Sequence, residues 1–94
     1  MSEGTAEIIM YARTRFCPDV ARARMRLEDL GIPWTEYDIE SDASAGAETE
    51  RLTGRRSVPT LIIGDRILVE PSNRTLDEAL VAAGYDISEQ EARA

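Results

Sequence analysis

Cys17 is the one thiol in a chain of 94 residues that contains no histidine, so any nucleophilic or redox chemistry has to be built around it. A single cysteine excludes an internal disulfide. The missing imidazole excludes the usual Cys/His zinc site and any His-activated nucleophile. What remains is the thiol's own position. Pro18 suits the first turn of a helix, where a missing N–H costs nothing, and Val20, Ala23, Leu27 and Leu30 then recur at spacings of three and four. A thiol at a helix N-terminus faces unpaired N–H groups and the positive end of the dipole, and both favour the thiolate, which is the nucleophile. Arg13 and Arg15 lie just upstream, with Arg22 and Arg24 one to two turns along; Asp19 works against them. The competing reading is a buried structural cysteine. A preceding loop, and a place off the apolar stripe that starts at Val20, favour the reactive one.

The elements that must hold this thiol follow from patterning. Ile8-Ile9-Met10-Tyr11 is a short continuous apolar run, as expected of a strand buried on both faces. The helix from Cys17 stops at Gly31, and Trp34 to Ile39 alternates and is rich in aromatic and β-branched residues, which predicts a second strand. Ser41 to Thr53, ended by Gly54, reads as a short, weakly amphipathic helix. Thr60–Ile63 and Arg66–Val69 read as a hairpin across Gly64-Asp65. Ser72 or Asn73 can cap a last helix carrying Leu76, Ala79, Leu80 and Ala83 and stopping at Gly84. Tyr85 to Ala94 has few apolar residues and is expected to fray or pack loosely. The order β-α-β-α-β-β-α predicts a four-stranded mixed sheet with helices on both faces, in one domain over residues 1–94 with its core at about 7–84. Val58-Pro59 is a break before the third strand; its peptide bond is open to either isomer, trans at a strand start or cis.

Bulk properties narrow the partners. A composition of 43% hydrophobic and 31% charged residues is that of a soluble globular domain. No apolar run approaches eighteen residues, and Met1 to Glu7 has no basic start, so neither a membrane span nor a leader is expected and the cytoplasm is the default location. A net charge of −7 argues against nucleic acid. Arg13, Arg15, Arg22, Arg24 and Arg26 nevertheless crowd around the thiol. A basic collar of that kind would steer anionic small molecules and acidic protein segments toward it.

Taken in order, Tyr11, Phe16-Cys17-Pro18-Asp19-Val20, Gly31 to Ile39 and Ser57-Val58-Pro59-Thr60 resemble a glutaredoxin over about Ile8 to Leu80. They are similar to its aromatic-Cys-Pro-x-Cys helix start, its glycine–strand–acidic unit and its Thr-Val-Pro turn. Leu68 to Ser72 is closest to mycoredoxins, the mycothiol-using members with an Asn-Pro-Ser there. The resemblance implies a thioredoxin fold and a cis Val58-Pro59 bond beside the thiol. It implies Cys17 as the catalytic residue and Arg15, Arg56, Val58, Pro59, Ser72 and Asn73 as the residues that bind a low-molecular-weight thiol, glutathione or mycothiol. The Gly-Gly pair that usually holds glutathione is missing.

Val20 replaces the family's resolving cysteine and, starting the apolar stripe, is expected in the core. A dithiol cycle is therefore closed to this chain, and monothiol exchange on mixed disulfides between proteins and a small thiol is the reaction implied. The expected form is a monomer without metal. Three alternatives stay open: an iron–sulfur carrier in which two chains each give Cys17, a binding or regulatory module without turnover, and an arsenate-reductase-like enzyme using Arg22. Pro18 and the absence of an upstream lysine weigh against the cluster carrier, and the chain length weighs against the last.

Overall fold

The computed structural model describes residues 6–87. Along the chain run β1 (Ile8–Ala12), α1 (Pro18–Leu30), β2 (Thr35–Asp38), α2 (Ala43–Thr53), β3 (Thr60–Ile63), β4 (Arg66–Val69) and α3 (Asn73–Ala82). The four strands form one sheet in the order β2-β1-β3-β4, with β2 parallel to β1 and the β1–β3 and β3–β4 pairs antiparallel. This is the β-α-β-α-β-β-α arrangement the patterning predicts, down to the hairpin turn at Gly64, whose φ of 64° is a left-handed conformation suited to glycine.

Strand alternation divides the side chains between two layers. Ile8, Met10 and Ala12 on β1, with Leu61 and Ile63 on β3, face α1 and α3 and meet Val20, Ala23, Leu27, Leu76, Ala79 and Leu80 in one core. The opposite face carries Ile9 and Tyr11, paired across the sheet with Ile62 and Thr60, and is covered by α2.

Two boundaries differ from the pattern, each for a local reason. The helix predicted from Ser41 starts at Ala43, because Asp42 adopts an extended backbone and its carboxylate accepts from the Ser44 and Ala45 amides. β2 is shorter than Trp34–Ile39 and mostly exposed, as an edge strand with one neighbour. Packing also continues past the expected core: Tyr85 donates its hydroxyl to the Ala6 carbonyl, and Ile87 is 4% exposed within the core. Residues 88–94, where the rest of the expected loose tail lies, and Met1 to Thr5, which contain most of the segment read for a leader, fall outside the described residues. Among the described residues no helix is long and apolar enough to cross a membrane.

Candidate active site

Cys17 is the N-cap of α1, in extended backbone (φ −147°, ψ 117°), with Pro18 as the first helical residue. Its carbonyl accepts the Ala21 amide at 2.9 Å, the first hydrogen bond of the helix. The cap position follows from the sequence. Pro18 lacks the N–H that the first turn would leave unpaired, and Val20, 1% exposed, pulls the next turn into the core. Val20 is thus the buried residue its place in the stripe requires, and the site contains one sulfur.

One expectation is corrected here. Cys17 does not stand apart from the apolar stripe: it is 9% exposed and belongs to the same core cluster as Val20, Ala23 and Val58. The extended backbone of an N-cap residue lays the side chain beside the helix start, so it shares the helix's buried side. Phe16, by contrast, is 80% exposed, and an apolar ring therefore stands in solvent next to a recessed sulfur.

Around the thiol the structure assembles three segments. The Val58–Pro59 peptide bond is cis, as the resemblance implies, and both residues are buried. Among the described residues neither the amide nor the carbonyl of Val58 has a hydrogen-bond partner. The loop after β4 is tied to this turn, since the Glu70 amide donates to the Pro59 carbonyl at 2.8 Å. Glu70 itself takes a φ of 50°, an unusual conformation for a residue with a side chain. Arg22 then joins α1 to the same loop. It pairs with Asp19 at 3.0 Å and donates to the Pro71 carbonyl at 3.4 Å, a positioning role that its place in the sequence did not signal.

Two of the expected binding residues sit at the start of α3. Ser72 is its N-cap and accepts the Thr75 amide at 3.1 Å, while Asn73 is its exposed first residue. Arg15 and Arg56 are exposed and engaged elsewhere: Arg15 forks onto Glu40, and Arg56 reaches Glu50 at 3.0 Å while lying over Gly46 in α2.

The basic collar is consequently not a free positive field. Arg15, Arg22, Arg24 and Arg26 pair with Glu40, Asp19, Glu36 and Asp77 respectively. The Glu36 hydrogen bond holds the Arg24 guanidinium above its ordinary pKa. Of the five arginines, only Arg13 lacks a carboxylate partner among the described residues, and its enclosed Nε makes no hydrogen bond. The loop between β1 and α1 is pinned to the β2–α2 connection by Thr14, which donates to Asp38, and by the Arg15–Glu40 pair.

Fold and site together define a thioredoxin-fold protein with a single thiol at the start of its first helix, in the same core cluster as Val58 of a cis-proline turn. The family model described as glutaredoxin matches residues 8–68, which is most of the chain. The chain belongs to the glutaredoxin family. Among solved structures it is similar to a glutaredoxin from Brucella melitensis (27% identity, 89% of this chain and 87% of that chain, TM-score 0.61). It is also similar to oxidized glutaredoxin 2 from Chlamydomonas reinhardtii (28%, 84% and 83%, TM-score 0.64). A glutaredoxin from Archaeoglobus fulgidus, 24% identical over 83% of this chain and 88% of that chain, shares the fold with a TM-score of 0.70. No curated protein sequence matches the chain.

Proposed function

We propose that the protein is a monothiol oxidoreductase of the mycoredoxin-like kind, acting as a cytoplasmic monomer and as one domain over residues 1–94, that reduces mixed disulfides between proteins and a low-molecular-weight thiol. The observation that carries this reading is the pairing of Cys17 at the N-cap of α1 with a buried Val20 where a second thiol would otherwise stand. The Cys17 thiolate attacks the small-thiol sulfur of the mixed disulfide. The protein–sulfur bond breaks, its electron pair leaves with the protein thiolate, and a disulfide forms between Cys17 and the small thiol. A second small thiol, as thiolate, attacks the small-thiol sulfur of that adduct, giving the symmetric small-molecule disulfide and restoring the Cys17 thiolate. Net, one free small thiol is consumed and one small-molecule disulfide is released for each mixed disulfide reduced.

The surroundings support the roles assigned to the other residues. The Val58 amide and carbonyl, without partners among the described residues and beside Pro59, offer the backbone of the bound thiol a two-point partner. Ser72, Asn73, Arg15 and Arg56 hold its polar ends. For both arginines that means a carboxylate of the small thiol displacing Glu40 or Glu50. Phe16 gives the protein half of the substrate an apolar contact.

Intact-mass analysis after exposure to glutathione disulfide and to mycothiol disulfide, followed by turnover on a mixed disulfide with the better adduct, tests the proposal. One adduct per chain, its loss in Cys17→Ser, and multiple turnovers with the matching thiol are expected. An adduct that forms but does not turn over, or turnover that survives Cys17→Ser, would overturn it.

A further inference from the structure

The sheet face turned away from α1 and α3 leaves a cleft of about 230 Å³ beside the start of α2, lined chiefly by Ile9, Tyr11, Tyr37, Asp42, Ala45 and Glu48. Tyr11 and Tyr37 are cross-strand partners, and their rings stack with centroids 5.7 Å apart. Tyr11 is 7% exposed, yet among the described residues its hydroxyl has no hydrogen-bond partner. A buried phenol normally finds one. The hydroxyl retains solvent contact, since Arg13 Nε is the single enclosed side-chain polar atom without a partner among the described residues, and the cleft supplies that contact.

The charge around this oxygen is negative. Asp42 commits Oδ1 to Ser44 and Ala45, which leaves Oδ2 without a hydrogen bond among the described residues. Glu48 is paired with Arg51, so two carboxylates face one guanidinium. The phenol registers the same balance. Burial, then Glu48, Tyr37 and Asp42, hold it above its ordinary pKa, with Arg51 alone opposing, so it stays protonated at neutral pH.

We propose that this cleft is a binding site for a guanidinium head group. The planar cation lies against the Tyr37 ring, 41% exposed, and donates N–H bonds to the Tyr11 oxygen and to Asp42 Oδ2. An anion would meet two carboxylates, and an apolar group would leave the phenol unpaired. The volume falls below the roughly 300–1,000 Å³ of sites for drug-sized ligands, which suits a head group and not a whole cofactor. Such a head group is offered both by a free alkylguanidine and by an arginine side chain of a peptide.

The test is an NMR titration of the full chain with agmatine and with an acetylated, amidated Gly-Arg-Gly peptide. Shifts concentrated at Ile9, Tyr11, Tyr37, Asp42 and Ala45 are expected, and the tighter of the two probes identifies the source. Tyr11→Phe, which keeps the ring, weakens binding about five- to tenfold. Asp42→Asn, which keeps the helix cap, does the same, with circular dichroism confirming that each variant is folded. The proposal is overturned if a urea-headed analogue of agmatine or 1,5-diaminopentane binds as tightly, if shifts spread evenly over the acidic surface, or if Tyr11→Phe binds with wild-type affinity.

Discussion

At the scale of single residues, the site turns on positions 17 and 20. Cysteine as an N-cap makes no side-chain capping bond here, so its sulfur is left to chemistry and not consumed by the helix it starts. Under the proposed exchange, Val20, one turn along, is the residue whose replacement would change the reaction. Val20→Cys is expected to place a second sulfur where it meets Cys17, at a stability cost of about 1 kcal/mol for the lost side-chain volume. Oxidation should then close an intramolecular disulfide, seen as a loss of two mass units, and the small-thiol adduct should resolve without a second small thiol. An adduct as persistent in Val20→Cys as in the wild type would show that the two positions are not in reach. Much of this was legible in the sequence, because Pro18 and the apolar spacing fix the helix phase. The burial of Cys17 was not, since spacing along one helix says nothing about Val58, which reaches the same cluster from a turn some forty residues away.

At the scale of elements, charged pairs do the fastening. α1 is joined to α3 by Arg26, whose Nε and Nη2 donate to the two Asp77 oxygens at 2.9 and 2.7 Å, in a half-buried setting where both side chains are about one-fifth exposed. Truncating one partner leaves the other poorly solvated. Asp77→Ala should therefore cost about 1–3 kcal/mol in urea denaturation, and an Arg26→Leu, Asp77→Leu double variant should recover most of it. α1 is joined to β2 by Glu36, which accepts from Arg24 Nε at 3.1 Å and from Trp34 Nε1 at 3.0 Å. The Arg24 bond holds the Glu36 carboxyl below its ordinary value of 4.5. A carboxyl depressed on folding contributes stability above its unfolded pKa and loses it as the pH falls through the folded one. Stability followed by urea midpoints should thus fall below about pH 4.5, and Glu36→Gln should flatten that limb. Equal slopes would remove Glu36 from the account. Strand and helix order were readable from periodicity and turn residues. These fastenings were not, because Arg26 and Asp77 are 51 residues apart and only the folded register brings them together.

At the scale of the whole molecule, the question is what field a substrate meets on approach. Arginines clustered between residues 13 and 26 suggest local attraction for anions. Folding cancels most of it, since four of those five are matched to carboxylates and the net charge of −7 remains. Charges beyond a Debye length are screened, and that length falls from about 30 Å at 10 mM salt to about 8 Å at 150 mM. Over 30 Å the acidic whole acts on the incoming molecule; within 8 Å only the neighbourhood of Cys17 does. An anionic disulfide such as glutathione disulfide is accordingly repelled at low salt, and its second-order rate of adduct formation with Cys17 should rise severalfold as salt is added. A neutral disulfide such as hydroxyethyl disulfide should show no such rise. A rate that falls with salt for the anionic reagent would mean that the arginines without a carboxylate partner among the described residues, Arg13, Arg55 and Arg66, outweigh the rest of the surface. Arg13→Gln would then weaken the fall, whereas with net repulsion in control it should steepen the rise.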